Sequence, residues 1–158
     1  MSTVIIGLGN PLRADDSVGL TVARLLRDRL QGKPGIDVTE LWAGGLRLAE
    51  AMVGYDRAFV IDAMSSGSVP PGTVRRLALA DLGSARNATC VHDTSFPTAL
   101  ELCRRAGASI PSHISFWGIE ARDTESFSEV LSDDVARAVP EAAEAILREL
   151  IQPGGGES

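Results

Sequence analysis

Residues 4–19 read VIIGLGNPLRADDSVG, and this stretch decides the fold because a buried strand in it runs directly into a turn and two carboxylates. The run Thr3–Leu8 is rich in Val and Ile and alternates little, as expected of a strand buried on both faces. The turn that follows places Asp15 and Asp16 at the carboxyl edge of the predicted sheet, where open α/β folds bind their ligands. Acids at such an edge contribute little to stability but are suited to metal binding or acid–base chemistry.

The segments after this stretch predict a doubly wound sheet. Apolar residues recur at helical spacing in some segments and form short strand-like runs in others, in the order β-α-β-α-β. That order gives a parallel three-stranded core with right-handed crossovers. The predicted segments are a helix at 17–30, a strand at 36–41, a helix from Leu46 to about Val53, and a strand at 57–62.

The second half of the chain breaks this alternation. Only residues 63–71 separate the third strand from the next candidate at 73–79, so we expect the fourth strand to run antiparallel to the third, at an edge. After it we predict an irregular loop, a helix, a fifth strand and a closing helix, at 80–91, 95–106, 114–119 and 131–150. Residues 1–151 are thus predicted to form a single α/β domain and residues 152–158 a disordered tail.

Composition argues against several classes of function. The 158 residues carry 21 acidic and 15 basic side chains, and this acidic balance disfavours a nucleic-acid surface. The chain shows no run of about 18 apolar residues that could span a bilayer. Its first residues lack the basic region of a signal peptide, and two cysteines are too few for a disulfide framework. We therefore expect a cytoplasmic protein.

Three side chains are candidates for one site at the sheet edge. Asp16 follows the first strand and Asp62 closes the third, and these strands are neighbours in a doubly wound sheet. Both carboxylates would then enter the same crevice. His92 lies in the loop before the next helix and could reach the same edge. Two carboxylates and one imidazole suit a divalent transition metal that keeps open coordination positions.

Each candidate also has a structural explanation. Asp15 or Asp16 could cap the first helix. Asp62 could accept backbone hydrogen bonds at a strand end, and His92 could be a surface histidine. Cys90 could be a soft auxiliary ligand beside His92 or a packed thiol. A nucleotide-binding module fits poorly, because the third glycine of GxGxxG is missing and the two acids would repel a pyrophosphate.

The segment Gly7–Gly19 resembles the N-terminal motif of the hydrogenase maturation proteases, which remove a C-terminal extension from the large subunit of nickel–iron hydrogenases. The likeness extends, in order along the chain, to Gly44-Gly45, Val60–Ala63 and His92. The fold that this resemblance implies is a three-layer α/β/α sandwich of the phosphorylase/hydrolase-like type. Its five-stranded, mostly parallel mixed sheet has one antiparallel edge strand.

The resemblance also implies a site and a reaction. Asp16, Asp62 and His92 would contact the metal, and Asp16 and Asp62 would be the catalytic residues of an aspartyl-type protease. The attacking water would be activated either by binding to the metal or by a carboxylate base, Asp16 or Asp62, and the sequence leaves both open. The cofactor implied is nickel, engaged through the substrate as a mark that its insertion is complete, with no tightly bound organic cofactor.

The partner that the resemblance implies is the hydrogenase large-subunit precursor, without nucleic acid or membrane, and the enzyme is expected to be a monomer. The main rival is a non-catalytic, nickel-sensing maturation chaperone that binds the precursor through the same residues. Because both functions use one site, motifs do not separate them.

Overall fold

The computed structural model describes residues 1–88 and 95–152 of the chain. Its strands are β1 Thr3–Leu8, β2 Ile36–Leu41, β3 Arg57–Met64, β4 Val74–Leu77 and β5 His113–Glu120. Its helices are α1 Val18–Arg29, α2 Leu46–Met52, α3 Phe96–Arg105 and α4 Asp133–Ile151, with short 3₁₀-helices at Ala14–Ser17 and Leu79–Ser84. The strands form one sheet in the order β2-β1-β3-β5-β4, and β4 alone in this sheet is antiparallel to its neighbour.

The sheet is covered on both faces, because successive side chains of a strand point to opposite sides. On β3, Phe59 and Ile61 pack with apolar residues of α1 and α4. Val60 and Met64 join the opposite core, which α2 and α3 cover. The three-layer α/β/α sandwich and the mostly parallel mixed sheet with one antiparallel edge strand are therefore confirmed.

Helix α1 lies against the sheet at a point where glycine stands on both sides of the contact. A Cβ on Gly19 would lie 2.4 Å from the carbonyl oxygens of both Leu8 and Ile61. A Cβ on Gly7 would lie 2.4 Å from the carbonyl oxygen of Gly19. No side chain fits at such distances, so these glycines set the height of α1 above β1 and β3.

Two strands differ in length from the prediction. The ladder between β3 and β5 continues to the pair Met64 and Glu120, so Asp62 lies inside β3 and does not close it. Strand β4 is shorter than predicted, because its ladder with β5 ends at Leu77, just before the chain enters a 3₁₀-helix. Its direction is antiparallel to β3, as predicted, but its neighbour is β5.

The helices begin and end within about two residues of the predicted positions. The segment expected to be an irregular loop contains the 3₁₀-helix at Leu79–Ser84. Residues 153–158 of the predicted tail lie outside the described residues. Among the helices that the structure describes, none combines the length and the apolar character needed to cross a membrane.

Candidate active site

Asp16 and Asp62 lie together at the carboxyl edge of the sheet. Asp16 belongs to the 3₁₀-helix after β1, Asp62 belongs to the adjacent β3, and they are 3% and 1% exposed. The side-chain amide of Asn87 joins them: its Nδ2 donates to Oδ1 of Asp16 at 3.0 Å and to Oδ1 of Asp62 at 2.9 Å. The structure thus brings together two of the three side chains predicted for the site.

The Asp62 carboxylate is surrounded by hydrogen-bond donors. Its Oδ2 accepts from the backbone N–H groups of Asn87 at 2.6 Å and Ala88 at 2.9 Å. Its Oδ1 accepts from the backbone N–H of Ala63 at 2.9 Å in addition to the Asn87 amide. Each oxygen therefore has two donors. The structural explanation for Asp62, that it accepts backbone hydrogen bonds, is confirmed, and it does not exclude a chemical role.

Burial raises the pKa of Asp62 to about 7, from an ordinary value of 3.8. The hydrogen bonds from the Asn87 side chain and from the backbone of Asn87 and Ala88 favour the charged form and oppose this rise. The negative charge of Asp16 adds to it. A carboxyl group whose pKa lies near neutrality can take up or release a proton at physiological pH, as acid–base catalysis requires.

Asp16 has a different environment. Its Oδ1 accepts from Nε of Arg86 at 3.1 Å, which forms an ion pair, as well as from Asn87. Among residues 1–88 and 95–152, no donor hydrogen-bonds to Oδ2 of Asp16. Within that part of the chain, Oδ2 of Asp16 is therefore the carboxylate oxygen of the pair that is left for a ligand.

The segment 86–88 is fixed against the sheet edge from two sides. The backbone N–H of Arg86 donates to the carbonyl of Ala63 at 2.9 Å, and the N–H of Gly45 donates to that of Ala88 at 3.1 Å. A Cβ on Gly44 would lie 2.1 Å from the carbonyl oxygen of Asn87. The pair Gly44-Gly45 therefore lets this segment come close enough to reach both carboxylates.

Arg86 and Asn87 were missed by the sequence analysis, which assigned residues 80–91 to an irregular loop. A signal was present, because these two polar side chains interrupt a stretch of mostly small residues, GSARNA, at 83–88. Two side chains with several N–H donors each, close in sequence to a predicted site of two carboxylates, are suited to pair with them.

Asp15 does not cap a helix and takes no part in the pair. It is fully buried, and neither the 3₁₀-helix nor α1 has a side-chain cap. Its carboxylate accepts from the backbone N–H groups of Arg122, Asp123 and Ser132 at 3.0, 2.9 and 2.7 Å, and from the Ser132 hydroxyl at 2.7 Å. It holds the β5–α4 loop in place, and the structural explanation in which Asp15 or Asp16 caps the first helix is wrong.

The third predicted ligand, His92, and its neighbour Cys90 lie outside the described residues. Asp16, Asp62 and His92 as a metal set therefore stay a prediction. Within the part of the chain that the structure describes, no group of three His, Cys, Asp or Glu side chains could hold a metal ion. The two carboxylates alone are oxygen donors, which are compatible with a divalent cation but leave most of its coordination positions open.

Comparison with protein families gives a match that covers most of the chain. The family model HycI, described as hydrogenase maturation protease, matches residues 20–149. That range includes Asp62, Asn87 and His92 and begins just after Asp16. The match is therefore independent of the opening motif at Gly7–Gly19.

Related proteins and solved structures agree with this match. The hydrogenase expression/formation protein HoxM of Cupriavidus necator is 28% identical over 144 residues, covering 89% of this chain and 70% of that protein. HupM of Azotobacter chroococcum is 29% identical over 147 residues, covering 90% and 68%. The hydrogenase maturating endopeptidase HybD from E. coli superposes with a TM-score of 0.79 at 22% identity, over 95% of this chain and 92% of that one. HybD from Thermococcus kodakarensis superposes with a TM-score of 0.67 at 27% identity, over 96% and 100%.

Proposed function

Because this chain belongs to the hydrogenase maturation protease family, we propose that it is the endopeptidase that removes the C-terminal extension of a nickel–iron hydrogenase large-subunit precursor. Cleavage follows nickel insertion, and the nickel that the precursor carries is the feature that the enzyme recognises. Nickel is in this sense part of the substrate. The family model supports the reaction class, the HoxM and HupM relatives support a role in hydrogenase formation, and the carboxylate pair supports the location of the reaction.

The observation that carries the proposal is the meeting of two buried carboxylates at the sheet edge. Two acids in one crevice repel each other, and burial adds a cost for each charge, so such a pair is unfavourable for stability alone. Here the pair is kept by Asn87, which donates to both acids, and by the cation of Arg86 beside Asp16. A fold that holds an unfavourable pair in place is typical of a functional site.

The surroundings of the two acids suggest a division of roles. Asp16 has an oxygen that accepts no hydrogen bond from the described residues, and this free oxygen supports a contact with the nickel or the attacking water. Asp62, held by four donors and with a pKa of about 7, is suited to store and return a proton. Peptide hydrolysis needs a proton to be taken up and then returned, because the water must lose a proton and the leaving amine must gain one.

The test compares a nickel-loaded precursor with the same precursor free of metal, each incubated with the purified protein and weighed by mass spectrometry. We expect the loaded precursor to lose the mass of its C-terminal peptide and the metal-free precursor to stay intact. Equal cleavage of both forms would refute the role of nickel. An unchanged mass together with retained binding would show the chaperone and not the protease.

A further inference from the structure

We propose that the exposed side chains of Leu12, Trp42, Phe127 and Val130, which together form an apolar rim, bind an extended apolar segment of the protein substrate beside the carboxylate pair. The inference rests on the proposed function and adds the surface by which the substrate is held. The charges around the rim favour a segment that also carries Lys or Arg.

Large exposed apolar side chains are concentrated at one edge of the sheet. Met1 and Ile151 are exposed near the ends of the described chain, as chain ends commonly are. Between them, the described residues expose three large apolar side chains by more than two thirds: Trp42 at 71%, Phe127 at 82% and Val130 at 74%. All three lie on loops that leave the carboxyl ends of strands β2 and β5. Single exposed apolar residues are normal, whereas a group of them at one edge is typical of a binding surface.

The β5–α4 loop brings Phe127 next to the turn that precedes the carboxylates. The N–H of Ser128 donates to the carbonyl of Leu12 at 3.0 Å, and the N–H of Ala14 donates to that of Ser128 at 2.8 Å. The two segments therefore run parallel, with Arg13 opposite Ser128. In that register Leu12, which is 50% exposed, lies opposite Phe127. Apolar residues from two different loops thus belong to one surface.

The loop keeps this conformation through hydrogen bonds of its own. Oδ1 of Asp123 accepts from the N–H groups of Glu125 and Ser126, both at 3.0 Å. The hydroxyl of Ser128 accepts from the N–H of Val130 at 3.0 Å. The backbone of a loop that is already ordered loses little freedom on binding, so more of the apolar contact contributes to affinity.

Both parts of the rim are joined to the carboxylate pair by short stretches of backbone. Leu12 comes four residues before Asp16 in the same turn. Trp42 comes three residues before Gly45, whose N–H donates to the carbonyl of Ala88 in the segment that binds both acids. A peptide whose scissile bond lies at the pair therefore has its neighbouring residues within reach of the rim.

Acidic side chains accompany the rim and indicate the charge of its partner. Glu125 and Glu129 are exposed on either side of Phe127 in the sequence, and neither forms an ion pair with another described residue. Arg13 is an exposed base beside the rim, and the two acids outnumber it. A segment with apolar side chains and a Lys or Arg complements this surface, whereas a second copy of the chain, with its net charge of −6, is repelled.

The experiment measures cleavage of the nickel-loaded precursor over a range of precursor concentrations. We expect Phe127→Ser and Trp42→Ser each to raise KM about tenfold and to leave kcat within about twofold of the wild type, because the rim holds the substrate and takes no part in the reaction. Both side chains are exposed, so both variants should fold, which thermal unfolding checks.

The matched control is Ile151→Ser, which changes another apolar side chain that is 82% exposed. This residue lies at the opposite edge of the sheet, where Arg57 at the start of β3 donates to the carbonyls of Leu150 and Gln152. Its KM should equal that of the wild type. Unchanged KM in Phe127→Ser and Trp42→Ser, or an equal rise in Ile151→Ser, would overturn the proposal.

The charge of the bound segment is tested separately. Glu125→Gln/Glu129→Gln should raise KM about threefold at low salt and less at high salt, because salt screens exposed charges. The control Glu50→Gln/Glu141→Gln makes the same change in net charge at exposed positions of α2 and α4. An equal rise in both double variants would overturn the basic character of the segment.

Two further outcomes separate this inference from its rivals. A wild-type protein that sediments as a dimer, and as a monomer with Phe127→Ser, would overturn the proposal, because the rim would then bind a second copy of the chain. If the protein binds the loaded precursor without cutting it, the Kd replaces KM. A Kd about tenfold weaker in both rim variants would then keep the rim and remove the protease. Cleavage with unchanged KM would remove the rim and keep the protease.

Discussion

Asp15 and Asp16 are neighbours in the chain and both are buried, yet the structure surrounds them with different partners. Asp15 accepts four hydrogen bonds, all from neutral donors of the loop between β5 and α4. From residues 1–88 and 95–152, Asp16 accepts two hydrogen bonds, one of them from the Arg86 guanidinium and both at the same oxygen. The loop that contacts Asp15 closes over it, whereas the segment that contacts Asp16 also joins it to a second acid on another strand.

The difference shows that burial alone does not tell whether a carboxylate has a structural or a chemical role. A buried carboxylate whose acceptor positions are filled by the backbone of one loop organises that loop, and it behaves as part of the fold. A buried carboxylate that is incompletely paired and held near a like charge carries a cost that the fold does not need. We therefore assign the structural role to Asp15 and the chemical role to Asp16, and four experiments test this contrast.

The largest expected effect is on catalysis. In Asp16→Asn, the remaining oxygen can still accept from Arg86 and Asn87, so the fold should persist. The loss of the charged contact to the nickel or the attacking water should lower precursor cleavage at least about a hundredfold. Cleavage is followed by mass spectrometry and folding by thermal unfolding. Asp28→Asn, on the exposed face of α1, is the control with the same charge change. Normal cleavage by Asp16→Asn would remove this residue from the mechanism.

The second experiment reverses the roles. Asp15→Ala leaves three backbone N–H groups and one hydroxyl without their acceptor in a buried place, which should cost about 3 kcal/mol in the free energy of unfolding. For a chain of this size that corresponds to a fall in Tm of roughly 10 °C. Below the new Tm, precursor cleavage per folded molecule should stay close to that of the wild type. A stable Asp15→Ala protein that fails to cleave would break the contrast.

The third experiment measures stability against pH and tests whether Asp62, like Asp16, has a chemical role. The pKa of Asp62 rises on folding from 3.8 to about 7, so between these values the folded state binds a proton that the unfolded state has lost. The free energy of unfolding should therefore fall as pH rises through this window and become level above it, by roughly 2 kcal/mol between pH 5 and pH 7.5. Urea unfolding at several pH values measures it.

The reference for the pH experiment is Asp62→Asn, which has no titrating group at this position. Its amide must face the N–H donors of Asn87 and Ala88, so the variant should be less stable at every pH. What matters is the slope. If wild type and variant show the same dependence of stability on pH, the carboxyl of Asp62 does not titrate in this window.

The smallest expected effect is that of changing Gly44, which lets segment 86–88 approach the two carboxylates. In Gly44→Ala the new Cβ would lie 2.1 Å from the carbonyl oxygen of Asn87 and 2.5 Å from that of Ala88, so segment 86–88 must move. We expect a loss of about 1–2 kcal/mol in the free energy of unfolding, as for overpacking, together with slower cleavage. Gly83→Ala is the control, because a Cβ there meets no described atom within 4 Å. Equal effects of the two substitutions would show that Gly44 does not position the segment.

Much of the fold could be predicted because it depends on local patterns. The Val and Ile runs of β1 and β3 and the helical spacing in α1 are readable over a few residues, and the short link after β3 excludes a parallel crossover. The end of β3 was misplaced, because its last two pairs depend on β5, more than 50 residues away. Strand length of this kind is a property of the partner strand.

The meeting of the two carboxylates was also predictable, in this case from the order of the strands. Asp16 and Asp62 follow from strand order, since neighbouring parallel strands bring their carboxyl ends together. The separate roles of Asp15 and Asp16 depend on donors at Arg122, Ser132 and Asn87, none of which is close in sequence. The spacing of residues along the sequence could not predict those contacts.

The β5–α4 loop and the Gly7–Gly19 contact differ in how much side-chain change they tolerate, and this difference matters for redesign of the molecule. The β5–α4 loop is held to Asp15 mainly through backbone N–H groups, which almost any residue except proline supplies, so its side chains are open to randomisation. Helix α1 offers no such freedom, since even a methyl group at Gly19 would collide with two strands. A library of loop variants should therefore vary residues 124–131 and keep both glycines fixed, because α1 directly follows the 3₁₀-helix that carries Asp16.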